Sequence, residues 1–298
     1  MIDLNRILFP TDGSECAEQA RQHAFYLADR FEAALHVIHV DEREVELSDV
    51  IDIRESDVLA DLHAPQHTET AVSEPRVQEH RIVHPSVAEG ILSYASEHDT
   101  NLTVLGTHGR RGLRRLVLGS VAEEVVRQAP HPVMTVGRGA KPPEAFDGGH
   151  LLVPVDFSEH QTRLLAHARE LALAYGMHLT LLHVVEAEEL PDVYDGYADP
   201  PDLGAITGRV EEALEDQADA LRDRGLEASV EVRDGHVASQ TLDAAETLDA
   251  DLLAIATHGR AGIERMLMGS VAETVIRRAP CPVFTVKSFG QSLVLDED

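Results

Sequence analysis

One stretch of the chain carries residues whose types and spacing suit the binding of a phosphate group. Gly106 and Gly109 are followed, after nine intervening residues, by Gly119 and Ser120, and Asp12 ends a short apolar run near the N-terminus. Glycine lets a ligand approach the backbone closely. A serine at the start of a helix lies beside free N–H groups and the positive end of the helix dipole. The pattern predicts an anion cradle, with Ser120 capping its helix in a Ser-Val-Ala-Glu box.

The same stretch occurs twice, so the chain is a duplication. Residues 106–136 and 256–286 share 19 of 31 positions without gaps, and residues 7–15 and 35–40 match 151–159 and 179–184. These are two copies of a unit of about 140 residues, called copy one and copy two below. Copy two repeats the predicted cap at Ser270 but has Ala256 in place of the first glycine.

The elements that must position these residues alternate between short strands and longer helices. Copy one predicts strands at 6–9, 35–40, 77–83, 102–106 and 133–136, and helices at 14–31, 86–98 and 120–128. Such alternation implies parallel strands joined by right-handed crossovers, in an α/β fold with a doubly wound sheet. Residues 41–76 are predicted as an irregular loop, whereas their counterpart, 205–224, is predicted as an amphipathic helix.

The repeat also predicts the domain boundaries. We expect a first domain over residues 1–138, a Gly- and Pro-bearing linker over 139–149, a second domain over 150–290, and an acidic tail over 291–298.

Composition excludes several partners. The 298 residues include 53 acidic and 25 basic side chains, a net charge of −28, which disfavours nucleic acid and anionic membrane surfaces. Lys141 and Lys287 are the only lysines, and many carboxylates with few lysines suggest a salty cytoplasm. Two cysteines favour a reducing compartment. The N-terminal sequence has no signal-peptide layout, and no apolar run is long enough to insert into a membrane. We expect a cytoplasmic protein.

The exception to the acidity lies inside the glycine stretch. Four arginines fall within six residues there: Arg110, Arg111, Arg114 and Arg115. Copy two keeps Arg260 and Arg265 but has Glu264 opposite Arg114. The planar guanidinium group of arginine binds phosphate and carboxylate equally well. These side chains therefore either bind an anionic ligand or form a solvated face on which they pair with the protein's own carboxylates.

The spacing G-x2-G-x9-G-[S/T], after a fourth strand and with Asp12 or Asp156 after the first, resembles that of the ATP-binding members of the universal stress protein family. The resemblance covers almost the entire chain. It implies two tandem Rossmann-like domains of the adenine nucleotide alpha hydrolase-like kind, each a five-stranded parallel sheet of order 3-2-1-4-5 flanked by helices. It also implies an intramolecular pseudo-dimer through the last strands, with a homodimer of whole chains as a further assembly.

Site residues follow from the resemblance, position by position. Asp12 and the backbone of Val40 would hold adenine and ribose, Gly106 and Gly109 the ribose and phosphates, and Gly119 and Ser120, with Arg110, the distal phosphates. The matching positions of copy two are Asp156, Val184, Gly259, Arg260, Gly269 and Ser270. The implied cofactor is ATP, or AMP or ADP, with Mg²⁺ or Mn²⁺ carried on the phosphates. Ala256 makes copy two the poorer site, because alanine there is either strained or crowds the ribose.

Simpler structural explanations stand beside these roles. Asp12 and Asp156 suit strand-to-helix turns, and His108 and His258 suit a backbone hydrogen bond. Cys281 and His131, at matching positions, look structural, and Cys16 looks like a small helix residue with redox modification as the alternative. Four histidines near the acidic loop could form a weak transition-metal site: His63, His67, His80 and His84.

Motifs that would indicate an enzyme are missing from the sequence. It has no Walker Gly-Lys-[Ser/Thr], no G-x-G-x-x-G after the first strand, no G-x-S-x-G, no H-E-x-x-H and no paired C-x-x-C. We therefore expect a non-catalytic nucleotide-binding module of the stress response, acting on an unknown protein partner. The alternatives are a slow ATP hydrolase and a scaffold with degenerate nucleotide sites.

Overall fold

The computed structural model describes residues 2–43, 76–109, 118–146, 148–158, 161–186, 203–257, 268–287 and 290–294. Copy one consists of β1 (Arg6–Pro10), α1 (Glu15–Arg30), β2 (Ala34–Glu42), β3 (Val77–His84), α2 (Val87–Glu97), β4 (Leu102–Gly106), α3 (Ser120–Gln128) and β5 (Val133–Val136). A 3-10 turn at Pro143–Phe146 lies between the copies. The predicted loop at 41–76 falls mostly outside the described residues.

Copy two repeats the order of copy one with an additional described helix, α5. Its elements are β6 (His150–Pro154), α4 (Gln161–Tyr175), β7 (His178–Val185), α5 (Leu203–Arg222), β8 (Ala228–Asp234), α6 (Val237–Thr247), β9 (Leu252–Ala256), α7 (Ser270–Arg278) and β10 (Val283–Val286).

All ten strands form one sheet, in the order β3-β2-β1-β4-β5-β10-β9-β6-β7-β8. Strands within each copy are parallel, so the predicted α/β class and the order 3-2-1-4-5 are confirmed twice. β5 and β10 pair antiparallel at the centre, with Phe284 opposite Met134. The hydroxyl of Thr285 donates to the carbonyl of Val133 across this junction at 2.9 Å.

Helices cover both faces of the sheet, which explains why its inner strands are almost continuously apolar. Ile7, Leu8 and Phe9 are each completely buried, although they point alternately to opposite faces. Ile7 and Phe9 belong to the same core cluster as the buried residues of α1, and Leu8 belongs to the cluster that contains those of α2 and α3. Because both faces of the sheet are covered, a site has to be formed by the loops at the ends of the strands.

Helix starts correct one prediction. Ser14 caps α1 as its position suggests, accepting a hydrogen bond from the N–H of Ala17 at 3.2 Å. The capping roles predicted for Ser120 and Ser270 are wrong, because Gly119 and Gly269 are the N-cap residues and neither helix has a side-chain cap.

The cap lies at Gly119, one residue before the predicted position, and the backbone of Gly119 is held on both sides. Its N–H donates to the carbonyl of Thr107 at 2.8 Å, and its own carbonyl accepts from the N–H of Glu123 at 2.9 Å. A Cβ at Gly119 would lie 3.1 Å from the Thr107 carbonyl oxygen. A glycine thus fits the cap position closely, and the Ser120 hydroxyl is not used to cap the helix.

Residues 290–294, most of them assigned to a tail by the sequence, pack against the domains instead. Leu293 is 1% exposed and belongs to the hydrophobic core. Among the described helices, none is long and apolar enough to cross a membrane.

Candidate functional site

A cavity of about 940 Å³ opens at the carboxyl ends of the copy-one strands. β1 and β4 are neighbours there, and the chain leaves them toward α1 and α3. Such a switch point is where open parallel sheets bind ligands. The lining includes the predicted residues Asp12, Val40, Gly106, Gly109, Gly119 and Ser120. Arg110 and the other loop arginines lie outside the described residues.

The first wall of the cavity is a turn that joins β1 to α1 and holds the glycine stretch. Asp12 accepts the N–H of Ser14 on its Oδ1 atom at 3.0 Å, so the predicted turn role of Asp12 is present. The Ser14 hydroxyl, while it caps α1, donates to the carbonyl of His108 at 3.2 Å. A Cβ on Gly109 would lie 2.6 Å from Asp12 Oδ2. The glycine stretch therefore lies directly on the Asp12 carboxylate.

Gly106 is required by the closeness of α1. A Cβ there would lie 2.8 Å from the carbonyl carbon of Cys16 and 2.9 Å from the nitrogen of Ala17, both backbone atoms. Gly106 is not among the residues with positive φ, so the conformational explanation considered for this position does not apply. Its copy-two equivalent is Ala256.

The opposite wall is the N-terminus of α3. Ser120, Val121 and Ala122 line the cavity, and backbone N–H groups in the first turn of a helix have no acceptor within the helix. The helix dipole adds a partial positive charge at the same place. This end of the cavity is suited to an anionic group.

The floor of the cavity is apolar. It is formed by side chains from β2, α2 and β4, namely Ile38, Val40, Ala88, Ile91 and Leu105. Four of these are less than 4% exposed, and Val40 is 9% exposed. An apolar slot beside a few polar groups is the usual arrangement for binding a flat organic ring.

Carboxylates give the rim a negative charge. Asp12, Asp41, Glu42 and Glu124 line the cavity together with His39 and His108. The hydrogen bond from the Arg81 guanidinium lowers the pKa of Asp41. His39 donates from Nδ1 to the carbonyl of Thr11 at 2.8 Å. Asp41 is thus kept ionised, and the described part of the rim carries negative charge.

Comparison with known proteins agrees with the repeat and the fold. The model of the universal stress protein family matches residues 4–137 and again 149–287. The chain belongs to the universal stress protein family.

Relatives in this family are moderately similar to the chain. A universal stress protein of Methanocaldococcus jannaschii is 31% identical over 146 residues, which is 46% of this chain and 84% of the relative. One from Mycobacterium tuberculosis is 28% identical over 195 residues, 64% of this chain and 63% of the relative. A solved structure of a universal stress protein from Archaeoglobus fulgidus is 22% identical, with a TM-score of 0.63 over 96% of this chain and 99% of that one. That likeness shows the fold.

The second family repeat keeps part of the arrangement. Asp156 accepts the N–H of Ser158 at 3.0 Å, as Asp12 does for Ser14. Gly269 donates to the Thr257 carbonyl at 2.9 Å, and Ser270 begins α7. Val184 is 7% exposed. Gly259, Arg260 and His258 lie outside the described residues.

Copy two also departs from copy one beside Asp156. Gly13 has a φ of 70°, and its counterpart Phe157 has a φ of 57°, in the left-handed region that favours glycine. The Phe157 ring lies 4.9 Å from the ring of His183, the counterpart of His39. The difference is visible in the sequence, because the alignment of residues 7–15 with 151–159 places Phe157 opposite Gly13.

Several lining residues were missed by the sequence analysis. Ser14, His39, Asp41 and Thr107 all line the cavity. Repetition was the available signal for three of them, because Ser14, His39 and Thr107 recur as Ser158, His183 and Thr257. Asp41 has no repeated counterpart, since Val185 follows Val184 in copy two.

The remaining candidates have structural partners. The Nδ1 atom of His108 lies 2.9 Å from the Thr107 hydroxyl. His131 Nε2 lies 2.8 Å from the hydroxyl of Thr103. Cys16 is 2% exposed, and burial raises the pKa of Cys281 to about 12, which disfavours a reactive thiolate. No group of three metal-ligating side chains occurs among the described residues; His63 and His67 lie outside them.

Proposed function

We propose that copy one binds an adenine nucleotide, ATP or its relatives AMP and ADP, and that the chain is a nucleotide-binding regulatory module of the stress response. The observation that carries this proposal is the cavity, which places an apolar slot next to two glycines and a free helix N-terminus. The slot suits a purine ring and the helix end suits phosphates. Membership of the universal stress protein family supports the same assignment.

The proposed contacts follow the walls of the cavity. Adenine and ribose would lie against Asp12 and the backbone of Val40. The remaining ribose and phosphate contacts would come from Gly106, Gly109, Gly119 and Ser120, with Arg110 on the distal phosphates. Because the described rim carries carboxylates, we propose that Mg²⁺ or Mn²⁺ accompanies the phosphates and screens them from Asp41 and Glu42. The Ser120 hydroxyl, which is not used to cap α3, is a donor for the terminal phosphate.

Copy two is proposed as the weaker of the two sites. Its equivalents would be Asp156, Val184, Gly259, Arg260, Gly269 and Ser270. Two differences support this ranking. Ala256 replaces Gly106, a position at which a Cβ in copy one would meet the backbone of α1. The Phe157 ring contacts the ring of His183, the counterpart of the lining residue His39.

Binding without appreciable turnover is the proposed mode of action. A general base must be free to accept a proton and needs a pKa near the working pH. The pKa of Asp41 is lowered by its bond to Arg81, and Asp12 Oδ1 is engaged by the backbone of Ser14. We propose that nucleotide shifts the population of the glycine stretch and so alters contacts with a protein partner. Slow ATP hydrolysis and a scaffold role with degenerate sites remain the alternatives.

The proposed organisation is a cytoplasmic pseudo-dimer within one chain. Domains 1–138 and 150–290, joined by the linker 139–149, would face each other across the β5–β10 junction. That junction pairs the last strand of each copy along its edge. The proposed sites lie at the carboxyl ends of the strands and are therefore not part of the junction. A homodimer of whole chains would have to use another surface.

Calorimetric titration with Mg·ATP tests the proposal. We expect the wild type to bind, and the Gly119→Val variant to lose most of the heat, because a side chain at Gly119 meets the Thr107 carbonyl and enters the cradle. Gly269→Val is the matched control, since it alters the same position in copy two. A wild type that binds no adenine nucleotide would overturn the proposal, and rapid phosphate release at saturating ATP would favour the hydrolase.

A further inference from the structure

Two buried histidines occupy matching positions in the two copies. His23 on α1 and His167 on α4 are 1% and 0% exposed. Each contacts the segment that leaves the last strand of its copy, through Lys141 in one case and Leu293 in the other. His23 donates a hydrogen bond to its segment, whereas His167 accepts one from its segment.

His23 acts as a donor toward the linker. Its Nε2 atom lies 3.1 Å from the carbonyl oxygen of Lys141, and a carbonyl can only accept. Nε2 therefore carries the hydrogen, and Nδ1, which lies 3.5 Å from the hydroxyl of Tyr175, is the unprotonated nitrogen. A second proton would go to Nδ1 and leave the Lys141 contact intact.

His167 acts as an acceptor toward the C-terminal segment. Its Nδ1 atom donates to the carbonyl of Arg163 at 2.7 Å. Its Nε2 atom accepts the backbone N–H of Leu293 at 2.9 Å. A second proton on this ring can only go to Nε2, where it would face the N–H of Leu293 and abolish the hydrogen bond.

The segment held by His167, residues 290–294, is called the C-terminal clasp here because it joins both copies. The carbonyl of Leu293 accepts the N–H of Asp3 at 2.6 Å, and the N–H of Gln291 donates to the carbonyl of Pro130 at 2.8 Å. Ile2 and Val294 form an antiparallel bridge. The clasp therefore connects α4 of copy two with the N-terminus of copy one.

Gly290 fixes the path of the clasp. Its φ of 86° is in the left-handed region, and a Cβ there would lie 2.1 Å from the Pro130 carbonyl oxygen. The carbonyl of Gly290 accepts from Nη2 of Arg163 at 2.7 Å. The same helix α4 thus holds the clasp at both Gly290 and Leu293.

We propose that the C-terminal clasp is released by acid. A proton taken from solvent by Nε2 of His167 removes the acceptor of the Leu293 N–H, frees Leu293 and uncovers the N-terminal edge of copy one. The linker contact of His23 survives the same drop in pH, so the response is confined to the C-terminal side of the pseudo-dimer.

The surroundings of His167 oppose its protonation while the clasp is closed. Burial is the main cause that lowers its pKa to about 4, and the charge of Arg163 adds to it. The hydrogen bond to the Arg163 carbonyl and the charge of Glu170 act in the opposite direction. These two charged groups belong to α4 itself; β10 contributes the Phe284 ring at 6.1 Å and the clasp contributes Leu293, neither of which titrates. Opening exposes the ring to water, so uptake of the proton and opening favour each other.

Hydrogen exchange of the full chain tests the proposal. We expect the protection of the Leu293 and Asp3 amides, corrected for intrinsic exchange and divided by that of β10, to fall on the order of 30-fold from pH 8 to pH 5. Division by β10 separates opening of the clasp from global unfolding. An unchanged ratio over this range would overturn the proposal.

Two matched variants keep the interpretation specific. In His167→Gln the amide oxygen can still accept from Leu293 but does not titrate, so we expect protection to remain and its pH dependence to vanish. His23→Gln should leave the wild-type pH dependence in place. A His167→Gln protein that keeps the full pH dependence would refute the role of His167, and the wild-type profile decides the question if that variant does not fold.

Discussion

The Oδ2 atom of Asp12 lies 2.6 Å from the point where a Cβ on Gly109 would stand. Oδ1 of the same carboxylate accepts the N–H of Ser14, so the side chain cannot turn away without losing that bond. Glycine at position 109 is thus a steric requirement of the aspartate at position 12. The two residues are separated by almost the whole of copy one and act as one feature of the cavity.

The first prediction concerns this pair. Gly109→Ala would push the Asp12 carboxylate out of place, because the added methyl group meets the end of a side chain that can move. We expect ATP affinity to fall about tenfold, which is 1.4 kcal/mol, with the melting temperature almost unchanged. Calorimetric titration and thermal unfolding measure the two quantities. Equal affinity in variant and wild type would contradict the prediction, and the double variant with Asp12→Gly should show non-additive losses.

The second prediction compares equivalent positions in the two copies. Gly106→Ala places a methyl group 2.8 Å from the backbone of Cys16 in α1, which cannot move alone. We expect a loss of about 1–3 kcal/mol in the free energy of unfolding, as for other overpacked sites. Ala256→Gly in copy two should change stability by about 1 kcal/mol or less. Urea unfolding measures both, and equal effects at the two positions would show that the helix contact is unimportant.

The architecture could be predicted from the sequence because the spacing of apolar residues and the internal repeat determine it. β4, α3 and β5 begin and end where the pattern predicts, and both copies have the predicted strand order. Long buried strands and amphipathic helices have few alternative arrangements once the crossovers are right-handed. The repeat gave each predicted strand of copy one a matching segment in copy two, whereas the loop at 41–76 and its counterpart at 205–224 differ.

The sequence was insufficient where a residue's role depends on what lies across space. Gly106 was interpreted through backbone freedom or a ligand, whereas its neighbour is the start of α1. Ser120 was assigned as a cap from its position before Glu123, but the cap lies at Gly119, whose N–H donates to the Thr107 carbonyl. Leu293, in the predicted acidic tail, is buried in the core, and its backbone is hydrogen-bonded to His167 and Asp3, which are distant from it in sequence.

The third prediction follows from the net charge of −28. Like charges on a folded surface repel one another, and salt screens them, with a Debye length that falls to about 3 Å at 1 M. We therefore expect the melting temperature to rise through a KCl series from dilute buffer to 1 M and beyond. Maximal stability in dilute buffer would contradict an adaptation to a salty cytoplasm. Matched ionic strengths of NaCl distinguish general screening from an effect of potassium.

The last prediction is loss of global stability in acid. Burial lowers the pKa of His23, of His131 and of His167 from 6.5 to about 4. The unfolded chain takes up these protons at a higher pH than the folded chain does. The contribution of these histidines to the free energy of unfolding is therefore fully present above pH 6.5 and is lost as the pH falls toward 4. Each histidine contributes up to about 3 kcal/mol to that loss.

Urea unfolding between pH 7.5 and pH 5 measures this loss. The slope of the unfolding free energy against pH gives the number of protons taken up on unfolding. His23→Gln removes one buried imidazole that contacts the linker and not the clasp, so its slope should fall by about one proton while Leu293 protection keeps its wild-type pH dependence. His167→Gln should lower the slope by the same amount and abolish that dependence. Stability that is flat from pH 7 to pH 5 would mean that these histidines titrate normally in the folded protein, because a group with equal pKa values in both states contributes nothing to the slope.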